Sequence, residues 1–225
     1  MSLWIKICGN TSLEDALLAA EAGADAVGFV FAPSPRQVTR EQVAEIVPRL
    51  PARGEKIGVF VDATFEEIEA IVSACNLTGV QLQFQSKSGI RSQLRDKFGL
   101  KLRILQTLHF GPGIVAQADS LASDSNIDGL LVDSRTPTAV GGTGIAFDWD
   151  AAASTLFGNP NFPHKLVAAG GLTPDNVSEA IARLGPWGVD VVSGVESSPG
   201  RKDPAKVRAF VAQARAASHK NKRET

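Results

Sequence analysis

The sequence predicts an α/β fold, a single closed (β/α)8 barrel of parallel strands over residues 1–217. Three observations predict it. Apolar runs and helix-patterned stretches alternate along the chain, with about eight of each. The apolar runs lack two-sided alternation, as expected of parallel strands covered by helices on their outer face. Polar residues and glycines gather where the runs end, while their starts are plain; a barrel keeps its ligand chemistry at those carboxyl ends. An open doubly wound sheet is the alternative. That fold usually announces itself by a Gly-x-Gly-x-x-Gly turn after its first strand, and Cys8-Gly9-Asn10-Thr11 is not one. The TIM-barrel architecture is therefore the expectation.

In the first strand Leu3, Ile5 and Ile7 fall on one face and Trp4, Lys6 and Cys8 on the other. A Gly-Asn turn follows, and Thr11 and Ser12 can each cap the next helix. That helix, over 12–22, carries Leu13, Ala16, Leu17 and Ala20 at helical spacing and ends at Gly23. A strand over 26–31 comes next, then a helix over 39–50 with Val43, Ile46, Val47 and Leu50 on one face. The strand over 56–61 leads to a helix over 64–74, with Glu66 and Glu67 in the first turn as the helix dipole favours. A strand over 79–82 and a helix over 89–98 precede a strand over 101–108 and a short helix over 113–122. The sixth strand, 129–133, opens a long loop before a helix over 149–157 that Asp148 can cap. Strands over 165–169 and 188–193 each precede a helix, over 174–184 and 204–217, with Pro174 and Pro204 at the starts. Residues 218–225 read as a charged, frayed tail, with no linker or second domain.

With 225 residues, 44% of them hydrophobic, the chain can bury one large core. A formal net charge of -1 provides no global field to recruit nucleic acid, so local groups must hold any anionic ligand. The N-terminus lacks a signal-peptide pattern and no apolar run is long enough to span a bilayer, so no membrane partner is expected. Cys8 and Cys75 lie far apart without metal-type spacing, which fits a reduced, cytoplasmic protein. His109, His164 and His219 form no local cluster, and no metal site is expected. The oligomeric state, monomer or homodimer, is left open.

Taken alone, Cys8 reads as a small buried hydrophobe. Its place at the end of the first strand, beside Lys6 on the inner face, fits simple packing poorly. Asp133 ends the apolar run Leu130-Leu131-Val132 with no helix directly after it, so capping explains it poorly. A carboxyl over an apolar barrel mouth can have its pKa raised by desolvation, which suits a general acid. A thiolate base and a carboxylic acid on well-separated strands would suit a proton-shuttling isomerisation. Ala169-Gly170-Gly171-Leu172 and Ser193-Gly194 follow the last two strands, where barrels bind phosphate through backbone N–H groups. A side chain there would hold the backbone away from the phosphate oxygens. Gly141-Gly142-Thr143-Gly144 points to close ligand approach or a moving loop. In the closed ring the first and eighth strands are neighbours, so Lys6 and Asp190 are expected to form a buried ion pair below the site.

Lys6-Ile7-Cys8-Gly9, Ser34-Pro35-Arg36, Val80-Gln81-Leu82, Leu131-Val132-Asp133-Ser134, the Gly141–Gly144 run with Phe147-Asp148-Trp149, Ala169-Gly170-Gly171-Leu172 and Ser193-Gly194-Val195-Glu196 occur together in this order. Over nearly the whole chain this combination resembles phosphoribosylanthranilate isomerase of tryptophan biosynthesis. The resemblance implies an Amadori rearrangement that needs no metal and no cofactor, with a small phosphoribosylated anthranilate as substrate. It implies Asp133 as acid, Cys8 as base, Arg36 on the anthranilate carboxylate, and Gly170, Gly171, Ser193 and Gly194 on the phosphate. Three features depart from the family pattern: Gln83-Phe84-Gln85 replaces the usual His-Gly, the sixth loop carries the extra Arg135 to Val140, and Val192 stands where Ser is common. The alternatives are another phosphate-binding barrel enzyme, such as a thiamine phosphate synthase or a neighbouring step of histidine or tryptophan synthesis, and a non-catalytic sugar-phosphate binder.

Overall fold

The computed structural model describes residues 3–83, 89–133 and 148–221. Eight parallel strands close into a ring in chain order: β1 (Trp4–Ile7), β2 (Ala26–Val30), β3 (Glu55–Val61), β4 (Gly79–Gln83), β5 (Arg103–His109), β6 (Gly129–Asp133), β7 (Lys165–Ala168) and β8 (Gly188–Val191). β8 pairs with β1 and closes the barrel, with Lys6 in register with Asp190. The outer ring is built by α1 (Leu13–Glu21), α2 (Arg40–Ile46), α3 (Phe65–Cys75), α4 (Ile90–Phe98), α5 (Ile114–Leu121), α6 (Trp149–Ala152), α7 (Val177–Leu184) and α8 (Pro204–Asn221).

The period-two pattern of the first strand sorts two cores. Leu3, Ile5 and Ile7 pack outward among the helices with Ala16, Val43, Val189 and Phe210. Trp4 points inward, where it meets Ala26, Ile57, Leu105, Leu131, Val167 and Ala169. Above that apolar floor lies a polar layer. The Lys6 ammonium, fully buried, contacts the Asp190 carboxylate and Gln81 Oε1, each at 2.9 Å, and Gln81 donates onward to Thr107 Oγ1 at 3.3 Å. The ion pair expected from ring closure is present.

Capping follows the sequence closely. Ser12 accepts from the Asp15 amide, Asp148 from Ala151, and Thr64 and Thr39 form reciprocal capping boxes with Glu67 and Gln42. Thr11 does not cap; its hydroxyl donates to the Gly200 carbonyl at 2.6 Å. Some boundaries differ from the sequence reading. The helix expected from Pro174 starts at Val177, because the Asn176 side chain accepts from the Thr173 amide and holds a separate turn first. The helix over 39–50 ends as α at Ile46 and tightens into a 3-10 turn at Val47–Arg49, with Pro48 inside it. The helix after Trp149 continues as a π-helix over Ala153–Phe157. The last helix runs to Asn221, four residues past its expected end at 217. Sequence reading missed a hairpin, β9 (Glu196–Ser198) with β10 (Arg201–Lys202), which follows a 3-10 turn over Ser193–Val195. Among the described residues no helix is long and apolar enough to cross a membrane.

Candidate active site

Cys8 follows β1 directly and stays in the ladder, its amide donating to the Val191 carbonyl at 2.9 Å. Alternation from the inward Lys6 turns its thiol toward the barrel axis. Gly28 on the neighbouring strand makes room for it. A Cβ there would lie 2.5 Å from Cys8 Sγ and 3.0 Å from Lys6 Cε. The thiol is buried, with the residue 3% exposed. Asp133, 2% exposed, closes β6 two residues beyond the inward Leu131 and so shares its face. β7 and β8 stand between β6 and β1 around the ring. Cys8 and Asp133 therefore rise from the same rim, on separate strands, both on the inner face. His109 ends β5 in register with Asp133, so the imidazole leaves the sheet on the same side.

The two glycine-bearing loops also meet. Gly170 and Gly171 take consecutive left-handed conformations, φ +81° and +65°, which favour glycine. A Cβ on Gly194 would fall 1.9 Å from the Leu172 carbonyl oxygen, so the loops after β7 and β8 touch through bare backbone. The amides of Gly171, Ser193 and Gly194 donate to no backbone acceptor among the described residues. They offer the kind of N–H cradle that suits a phosphate. The Gly141–Gly144 run and Phe147 lie outside the described residues, as do Phe84, Gln85 and residues 135–140.

Arg36 sits in the loop after β2 and is only 8% exposed. It is not an unattached cation. Its Nε and Nη2 donate to the two Glu196 carboxylate oxygens at 2.9 and 2.7 Å. Glu196 also accepts from Lys202 Nζ at 3.2 Å. Lys202, 3% exposed, spends its other donors on the carbonyls of Cys8 at 2.6 Å and Val192 at 3.3 Å. Val192 packs over the turn, with Cγ1 3.1 Å from where a Gly9 Cβ would stand. Sequence reasoning missed Lys202 and the partnership of Glu196 with Arg36. The available signal was Pro199-Gly200, a turn pair between two short polar runs that folds Lys202 back under Cys8.

Burial and charge compete on these groups. Burial alone would pull the Lys6 ammonium down, but the Asp190 carboxylate and the neighbouring Cys8 outweigh it and hold its pKa above the ordinary value. For Lys202 burial wins, and its pKa lies below the ordinary value despite the nearby Glu196. Burial would push Glu196 up; the Arg36 hydrogen bond and the Lys202 charge reverse that and hold it low. Among the described residues no group of three or more His, Cys, Asp or Glu side chains is placed to hold a metal ion. The site's chemistry is thus a thiol and a carboxyl on one rim, an arginine fork and an N–H cradle.

Comparison with known proteins bears on this site. Residues 5–213 match the family model described as N-(5'phosphoribosyl)anthranilate (PRA) isomerase. The N-(5'-phosphoribosyl)anthranilate isomerase of Geotalea uraniireducens (strain Rf4) is 42% identical over 212 residues, 94% of this chain and 98% of that protein. The crystal structure of phosphoribosyl anthranilate isomerase from Thermotoga maritima superposes with a TM-score of 0.84 at 34% identity, covering 95% of this chain and 99% of that one. A phosphoribosyl anthranilate isomerase crystallised with reduced 1-(o-carboxyphenylamino)-1-deoxyribulose 5-phosphate superposes with a TM-score of 0.79 at 31% identity, covering 95% and 99%. The expected barrel and the expected kinship coincide: the chain belongs to the N-(5'-phosphoribosyl)anthranilate isomerase family.

Proposed function

We propose that this chain performs the Amadori rearrangement of N-(5'-phosphoribosyl)anthranilate to 1-(2-carboxyphenylamino)-1-deoxyribulose 5-phosphate in tryptophan biosynthesis, with Asp133 as general acid and Cys8 as general base. Asp133 gives its proton to the ribose ring oxygen, the C1–O bond breaks, and the ring opens to an iminium. Cys8, as thiolate, takes the proton from the adjacent C2, and the electron pair moves into an enolamine. The enol proton is lost and C1 regains a proton, which leaves the C2 ketone and the aryl amine. Nothing enters or leaves the substrate, so the reaction requires only proton transfers from positioned groups.

The observation that carries this reading is the shared rim: Cys8 and Asp133 both face inward at the carboxyl ends of β1 and β6, in a chain of this family. The cradle of Gly170, Gly171, Ser193 and Gly194, on the loops after β7 and β8, supports binding of the substrate phosphate on the same rim as the acid and the base. Arg36 would take the anthranilate carboxylate, since its planar fork suits a carboxylate better than a point charge does. A reduced cytoplasm suits a thiol base, and either a monomer or a homodimer is compatible with the site. The test is turnover. Substrate formed in situ from ribose 5-phosphate and anthranilate should lose its anthranilate-type fluorescence when purified protein is added. Tight binding of the reduced product analogue with no such loss would assign a non-catalytic binder instead.

A further inference from the structure

We propose that Glu196 and Lys202 are positioning residues of this site: Glu196 aims the Arg36 guanidinium at an aryl carboxylate, and Lys202 fixes the peptide that carries Cys8. The inference rests on the functional reading above and goes beyond it, because neither residue need touch the substrate.

Lys202 has three N–H donors, and three acceptors surround them: the Cys8 carbonyl at 2.6 Å, Glu196 Oε1 at 3.2 Å and the Val192 carbonyl at 3.3 Å. No donor is left for a ligand. What those bonds tie together is specific. Cys8 follows β1 and Val192 follows β8, so one buried ammonium joins the base-bearing peptide to the strand that leads into the phosphate loop. The amide side of Cys8 is already held by Val191. With Lys202 on its carbonyl, both backbone polar groups of the residue are held, and with them the Cα–Cβ bond that carries the thiol.

Glu196 does the corresponding work on the other side of Gly9. Its carboxylate takes two of the five N–H donors of Arg36, at 2.9 and 2.7 Å, and sets the plane of the guanidinium. Nη1 is not used by that pair and has no hydrogen-bond partner among the described residues. The aliphatic part of Arg36 crosses Gly9, whose φ of +74° and missing side chain leave room: a Cβ there would meet Arg36 Cδ at 3.0 Å. The hairpin that carries both residues is docked in turn. The Gly200 amide donates to Glu196 Oε1 at 3.3 Å, its carbonyl accepts from Thr11, and a Cβ on it would stand 3.0 Å from the Pro35 carbonyl oxygen. Arg36 and Cys8 are thereby braced by a single device, the β9–β10 hairpin, through two different side chains.

The test separates the two roles with a pair of stable ligands. Reductive amination of ribose 5-phosphate with anthranilate or with aniline gives arylamino-ribitol phosphates that differ only in the ring carboxylate. Wild-type protein should bind the carboxylated ligand more tightly. In Glu196→Gln that preference should shrink by about tenfold or more, the scale of a lost charge-assisted bond, while affinity for the aniline ligand stays within about twofold. In Lys202→Met, kcat on the anthranilate substrate should fall by about tenfold or more, with the aniline ligand still bound. Lys202→Gln, which keeps neutral donors for the two carbonyls, should recover part of kcat and serves in its place if the methionine variant does not fold. An unchanged carboxylate preference in Glu196→Gln, or wild-type kcat in either Lys202 variant, would overturn the proposal. Absence of turnover by the wild-type protein would remove the functional reading instead, while the ligand preference would still decide the role of Glu196.

Discussion

The Lys6 ammonium and the Asp190 carboxylate, in register on the two strands that close the barrel, lie 2.9 Å apart beneath the thiol of Cys8. Both are buried, so neither charge can fall back on water. Removing one partner should therefore be far worse than removing both. Lys6→Met is expected to cost about 3–5 kcal/mol in stability, and the double replacement Lys6→Met with Asp190→Leu should recover a large part of it. Urea unfolding of the three proteins measures this. A double variant less stable than the single one would show that the layer depends on its polar network with Gln81 and Thr107 rather than on charge balance.

Acid stability should carry the signature of Glu196. Its folded-state pKa lies below the ordinary 4.5, since the Arg36 bonds and the Lys202 charge outweigh burial. A depressed carboxylate contributes stability that is complete above about pH 4.5 and is lost as pH falls through the folded value. The Glu196→Gln protein should be less stable than wild type at neutral pH, and the gap should narrow on acidification. Thermal melts between neutral pH and about pH 3 follow it; a gap that stayed constant would mean Glu196 does not titrate with folding.

Gly194 lets the two phosphate-side loops touch. A Cβ placed 1.9 Å from the Leu172 carbonyl oxygen must push the loops apart, because the obstacle is backbone. Gly194→Ala should raise KM for the phosphorylated substrate and weaken competition by inorganic phosphate, with a smaller effect on kcat. Wild-type phosphate inhibition in this variant would move the phosphate away from these loops.

Arg36→Ala should raise KM more than it lowers kcat, as expected of a group that only anchors the ring carboxylate. The reverse pattern would place its charge in the transition state. Because the variant also leaves Glu196 with Lys202 alone among its charged partners, a modest loss of melting temperature should accompany it.

Much of this was legible in the sequence, and the reasons are local. The barrel follows from strand and helix periodicities, and Lys6–Asp190 follows from ring closure once a lysine falls on an inward position of β1. Asp148 and Ser12 cap as their residue types dictate. Lys202 was not legible. Its role depends on a hairpin that returns a residue far along the chain to the foot of Cys8, and no periodicity marks a contact between positions so distant in sequence. The same holds for the partner of Arg36: the resemblance puts Arg36 on the anthranilate carboxylate, but nothing in the sequence marks Glu196 as the carboxylate folded against it. Pro174 misled because proline suits a first helical turn, whereas the Asn176 side chain gives the preceding backbone a competing turn.

The central claim is that a thiol and a carboxyl on one rim divide the proton transfers between them. The most direct measurement is the single-turnover rate of the Cys8→Ser and Asp133→Asn proteins on freshly formed substrate, alongside their affinity for the reduced product analogue. Each replacement should slow the reaction by several orders of magnitude, about the 10²–10⁴-fold typical of one lost acid or base or more, while analogue binding and the melting temperature stay near wild type. Near-normal turnover by either protein would contradict the assignment.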